Sequence, residues 1–313
     1  MKVVLDIDKL LNERRISADE YARLRRYAAE DTGSLAFNLL VGFGVIATAV
    51  GAFALLPKAT TAIGVGLIIS IVGISLRSSQ AKAWGLLGWI LLLVGSLGAS
   101  GGIVVLTHGS TGGFLVVTAL YVVAGVLARS GLLVALSVLA LSETVGAATA
   151  YTHATYYLII EHPSITVVLF ALLSGGAYML SLRVSKDYQP LAIIFARTSL
   201  FLVNFGFWIG SLWGDRLWSK AMWTSPSKEP IPDWLFVIGW AVALIATGIW
   251  AARRNKRWVV NLIAIFGAIH FYTQYFERLG ASSATVLVGG LVALGFAFLI
   301  VHYNKGFKSA EAE

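Results

Sequence analysis

Ten apolar runs divide the chain, at 35–56, 60–76, 83–106, 112–128, 131–150, 164–182, 190–212, 234–252, 258–276 and 282–301. A bilayer core about 30 Å thick is crossed by about 20 apolar residues of helix, so each run reads as a transmembrane helix. The runs at 60–76 and 112–128 are the shortest, with 17 residues each, and a re-entrant one among them would lower the count to nine or eight. Ahead of the first run, 6–15 and 17–30 read as two short polar helices. Ser17 followed by Glu20 is a capping box, in which side chain and backbone satisfy each other's orphan donors. Leu10, Leu11, Ile16, Tyr21 and Leu24 would join the two helices by a small apolar contact. The predicted architecture is therefore all-α: a cytoplasmic helical hairpin arm over 1–34, a transmembrane helix bundle over 35–303, and a cytoplasmic tail over 304–313.

Composition agrees with lipid as the main solvent. Of 313 residues, 58% are hydrophobic and 13% charged, against about 25% charged in soluble proteins. Mean hydropathy is +0.79. There is no cysteine, which excludes disulfides, thiolate nucleophiles and Cys-ligated metal. The arm is charged and the first run long, so no secretory signal peptide is expected, and the first run reads as a signal anchor.

Charge sets the orientation. With ten spans and the N-terminus inside, 18 of the 24 Lys and Arg residues fall on the cytoplasmic side and 5 outside, with Arg197 in the membrane. The outer five are Lys58, Arg216, Lys220, Lys228 and Arg278. This bias is the positive-inside pattern and places both termini in the cytoplasm. The net charge of +8 then lies on the inner face. Anionic lipid is the partner expected there, and nucleic acid is not.

Two formal charges lie inside the runs, Glu143 and Arg197. They fall about 18 and about 10 Å from the same membrane face. An unpaired charge at mid-bilayer costs at least about 2.5–3.5 kcal/mol, so an ion pair between them is expected. It reads either as a structural pair or as a proton or substrate path. Arg197, Asn204 and Ser211 recur every seven residues on one helix face, where Asn204 reads as interhelical glue or as part of a polar stripe. His270, Gln274 and Glu277 share a face of the ninth run, a set too poor in ligands for a metal site. No cofactor or catalytic motif is present. The aromatic stretches 149–163 and 213–234, with Tyr151, Tyr156, Trp218, Trp223 and Trp234, read as an interfacial belt or a surface for sugars or lipid headgroups. Among 32 glycines, the seven-residue pairs Gly44/Gly51, Gly66/Gly73 and Gly88/Gly95, and Gly98/Gly102, predict close helix packing. The run from Gly98 to Gly113 would loosen the end of the third helix.

The arm sequence Leu10-Leu11-Asn12-Glu13-Arg14-Arg15-Ile16-Ser17, leading into Asp31-Thr32-Gly33-Ser34, resembles the start of a bacterial family of predicted polytopic membrane proteins of unknown function. Ala196 to Asp215 and Phe271 to Gly280 look similar too. Arg15 stands where that pattern usually has glycine. The resemblance implies a bacterial inner membrane and supplies no activity. In size and short loops the chain also resembles the ten-span drug/metabolite transporters, without a matching motif in its two halves.

Three functions stay open on sequence. A transporter-like or channel-like protein would line its path with Glu143 and Arg197. A non-catalytic component or sensor would dock partners through residues 1–34. A membrane enzyme acting on a lipid-linked substrate at the outer face would need His153, His162, His270 and Glu277 to converge. No motif supports chemistry, so an enzyme is the weakest reading.

Overall fold

The computed structural model describes residues 10, 11, 13, 15–55, 57–78, 84–152, 155–215, 231–280 and 282–310. Among the described residues, ten helices follow the ten apolar runs: α1 (Ala18–Leu55), α2 (Ala59–Ser78), α3 (Gly85–Leu106), α4 (Thr111–Leu127), α5 (Gly131–Glu143), α6 (Pro163–Ser181), α7 (Gln189–Trp213), α8 (Asp233–Arg253), α9 (Arg257–Leu279) and α10 (Ser283–Ala310). A hairpin of β1 (Ala147–Thr152) and β2 (Thr155–Ile160) interrupts the series. Six helices among the described residues, α2, α3, α6, α7, α8 and α9, are long and apolar enough to cross a membrane. The protein is thus a helical chain compatible with an integral membrane protein. It packs as two compact units, Met1–Leu133 and Val134–Glu313.

Three elements differ from the sequence pattern. α10 stays helical to Ala310, through the tail boundary expected after 303. α1 is one helix of 38 residues, about 57 Å long, with no break at the arm boundary near 34. Its start is the expected box: Glu20 N–H donates to Ser17 Oγ at 3.2 Å, and Ser17 N–H to the Glu20 carboxylate at 2.9 Å. The arm's first helix falls mostly outside the described residues. The fifth run, expected over 131–150, is helical only to Glu143. A turn through Gly146, at φ +80°, redirects the chain there. The Thr, Tyr and Ile residues that follow suit a pleated strand better than a helix. Ala147 pairs with Ile160 and Thr152 with Thr155.

In the first unit α2 and α3 form the closest pair. A Cβ on Gly73 would lie 2.5 Å from Leu92 N, one on Gly95 2.5 Å from Gly66 O, and one on Gly102 2.8 Å from Ala59 O. Only glycine allows this backbone approach, and it brings the buried Ser70 and Ser96 hydroxyls to 3.3 Å. Gly44 and Gly51 on α1 face open space instead. α3 runs unbroken past Gly98, Gly101 and Gly102 to Leu106, so the glycine run does not loosen it.

In the second unit α6 and α7 pack antiparallel. Ser174 Oγ donates to Ala196 O at 2.9 Å across them. Val138 of α5 joins Phe170, Leu202 and Val203 in one core cluster. Trp240, Leu244 and Phe266 centre a second, between α7, α8 and α9.

Candidate functional site

The second cluster holds polar groups in an apolar setting. Asn204, 3% exposed on α7, donates from Nδ2 to Leu200 O at 2.8 Å. Its Oδ1 accepts from Trp240 Nε1 at 2.9 Å, and Trp240 of α8 is 0% exposed. The Trp240 ring meets His270 of α9 edge-on, with centroids 4.8 Å apart. One turn away, Trp208 Nε1 of α7 donates to Thr273 Oγ1 of α9 at 3.0 Å. The three helices are therefore tied by two indole donors, each using the one N–H that an indole offers. Such bonds are worth about 0.6 kcal/mol each on average within a membrane.

Two atoms of this neighbourhood are left over. His270 Nδ1 and Gln274 Nε2 are both buried without a hydrogen-bond partner. His270 and Gln274 are four residues apart on α9, so they lie on one face, one turn from each other. Gln274 offers two amide donors, and His270 a ring nitrogen that donates or accepts. A buried amide with nothing to bind costs about 1–3 kcal/mol. The chemistry that would satisfy both atoms is an oxygen acceptor, set against the aromatic walls of the cluster.

The other expected site residues lie elsewhere. Glu277 is exposed near the end of α9. Glu143 is half-buried as the last residue of α5, beside the turn into the hairpin. Arg197 is exposed on α7, its guanidinium 5.0 Å over the Trp258 ring. Glu143 thus stands at a helix end and Arg197 against the Trp258 ring of α9. The expected stripe on α7 also splits: Asn204 and Ser211 are buried, whereas Arg197 is not. A seven-residue spacing drifts about 20° per step on a straight helix, and a long guanidinium side chain reaches farther still.

A second buried polar site went unnoticed in the sequence. Asp215, 1% exposed, accepts from Ser164 N–H through Oδ2 at 2.8 Å. It caps α6 from 51 residues away, where His162, the residue preceding the helix, makes no side-chain cap. His162 Nδ1 lies 3.9 Å from Asp215 Oδ1. Asp215 also pairs its backbone with Ile231, closing the loop between α7 and α8. Asp215 lies beyond the end of α7, which is itself nine residues or about 14 Å past Asn204. His162 and His270 thus serve different neighbourhoods, and the convergence that a membrane enzyme needs does not occur between them. His153, Trp218 and Trp223 lie outside the described residues.

Trp240, Trp208 and Thr273 were not singled out from sequence. The available signal for Trp240 is its depth. It is the seventh residue of its run, away from the ends where interfacial tryptophans gather. No family model matches the chain, and no curated protein and no solved structure matches it either.

Proposed function

We propose that the chain is a transporter-like inner-membrane protein of ten spans, with both termini in the cytoplasm, that holds a small oxygen-bearing solute between α7, α8 and α9. The observation that carries this reading is the pair of buried, unpartnered atoms His270 Nδ1 and Gln274 Nε2 beside the bonded Asn204 and Trp240. Polar groups kept inside a membrane protein at a cost are binding groups by default. The solute would place carbonyl, carboxyl or hydroxyl oxygen against these atoms and its apolar part against Trp208 and Trp240. The path runs through Asn204, His270 and Gln274 rather than through a Glu143–Arg197 pair. The cation asymmetry supports the orientation. α4 and α5, at 17 and 13 residues, complete the count with local thinning of the bilayer around them.

The experiment is a thermal-shift panel of carboxylates, amides, sugars and polyols on the purified protein and its Gln274→Leu variant. Saturation at about a hundred times Kd adds roughly 2.7 kcal/mol of stability. An oxygen-bearing solute should raise the midpoint of the wild type and leave the variant unmoved. Equal shifts in both, or no shift from any member, would contradict the reading.

One observation favours a second role. α1 is about 57 Å long and exceeds a bilayer core of about 30 Å, so its polar start would stand in the cytoplasm as a rigid arm. A protein partner docking on residues 18–34 would be lost from membranes of a chain lacking them.

A further inference from the structure

Arg197 has no carboxylate partner among the described residues. It is exposed on a membrane-spanning helix. An exposed arginine deep in hydrocarbon is costly, so its charge must reach the interface or find a counterion. Here the guanidinium lies over Trp258, the second residue of α9. Tryptophan at a helix end marks the level of the lipid headgroups. The side chain thus runs from the ninth residue of α7 to that level and is held there by the indole face.

The same end of the unit is strongly basic. α8 ends and α9 begins with Arg253, Arg254, Lys256 and Arg257 in sequence. The neighbouring turn between α6 and α7 adds Arg183 and Lys186, with Asp187 as the one acidic residue. Arg183, Lys186, Arg253, Arg254 and Arg257 are exposed. Both turns lie at one end because α6 to α9 run up and down in succession. A planar guanidinium, fixed on a ring and backed by further cations, suits the oxygens of a phosphate.

We propose that Arg197, stacked on Trp258, binds the phosphate of an anionic phospholipid headgroup, with the Arg253–Arg257 turn supplying the surrounding positive field. Basic recesses between helices at the cytoplasmic face hold such headgroups in membrane proteins. This site lies apart from His270 and Gln274 and stands or falls independently of the solute reading. It also gives Arg197 a counterion from lipid in place of Glu143.

The test measures lipid binding to the full-length protein in detergent. The probes are phosphatidylglycerol, phosphatidylcholine and inorganic phosphate. Wild type should bind phosphatidylglycerol more tightly than phosphatidylcholine. Arg197→Gln should weaken phosphatidylglycerol binding about fivefold, the effect of one cation near an anionic surface, and leave phosphatidylcholine unchanged. Arg197→Lys should recover only part of it, because an ammonium neither stacks nor forks. If Arg197→Gln fails to fold, Trp258→Leu serves in its place, and it should weaken phosphatidylglycerol selectively. An undiminished preference in these variants, or no preference in the wild type, would overturn the proposal. Inorganic phosphate competing at equal affinity would also overturn it, since the ligand would then be a free anion.

Discussion

Replacing Gln274 by leucine should make the solute-free protein more stable. The two side chains have similar volume, so packing around the position changes little. What changes is the amide: Gln274 Nε2 is buried with no partner in the folded protein. Removing an unsatisfied buried group returns a desolvation penalty of about 1–3 kcal/mol. Part of that is offset where the unfolded chain in detergent also finds partners, so a gain of about 1 kcal/mol is expected. Asn204→Leu is the contrasting variant. It strips the acceptor from Trp240 Nε1, which is bonded at 2.9 Å, and leaves a buried indole donor orphaned. That should cost about 1–3 kcal/mol. Denaturation midpoints in one detergent, with wild type between the two variants, are the expected outcome. If Gln274→Leu destabilises as much as Asn204→Leu, the amide is structural glue and the argument for a vacant binding group fails.

Other expectations follow from the same structure. Gly73→Ala should destabilise the α2–α3 pair by about 1–3 kcal/mol through overpacking, because its Cβ meets Leu92 backbone rather than a side-chain tip; a lowered melting midpoint checks it. Phe170→Ala should cost about 3–5 kcal/mol, since Phe170 is fully buried in the cluster with Val138 and Leu202. Asp215→Asn should loosen the start of α6, read as faster hydrogen exchange at the Ser164 amide, which now donates to the carboxylate. The Ser17 amide and hydroxyl hold the Glu20 carboxyl below the usual carboxylate range. Its contribution to the first turn of α1 is therefore present above the ordinary carboxylate value and lost as pH falls through the depressed one. Exchange protection at Glu20 N–H should drop over that window and stay flat in Glu20→Gln.

The helices were legible in the sequence because long apolar runs have one solution in lipid, the helix that satisfies its own backbone. The capping box at Ser17 and the glycine spacing on α2 and α3 were legible for a related reason. Both are local or periodic, and each needs a single residue type at a fixed step. The hairpin was not, because Ala147 to Thr152 carries no charge, so the apolar run read on through it as helix. The mid-membrane depth expected for Glu143 did not hold, because run order gives depth only as well as it gives run ends. Once α5 stops at Glu143, that residue is at an end rather than in the middle. For the candidate site, Asn204, His270 and Gln274 stood out as polar residues in apolar runs. What ties them is Trp240, which in sequence is one of ten tryptophans. Asp215 was hidden for the opposite reason. A carboxylate in a polar loop looks solvated until the fold places it against a helix start 51 residues earlier.

The central claim, a binding position between α7, α8 and α9, is tested most directly by thiol labelling. The chain has no cysteine, so a single introduced one reports alone. In membranes, Gln274→Cys should react with a small polar thiol reagent, while Val138→Cys, at a fully buried position, should react only after denaturation. If Gln274→Cys is as silent as Val138→Cys until the protein is unfolded, no solute reaches that position and the account is wrong.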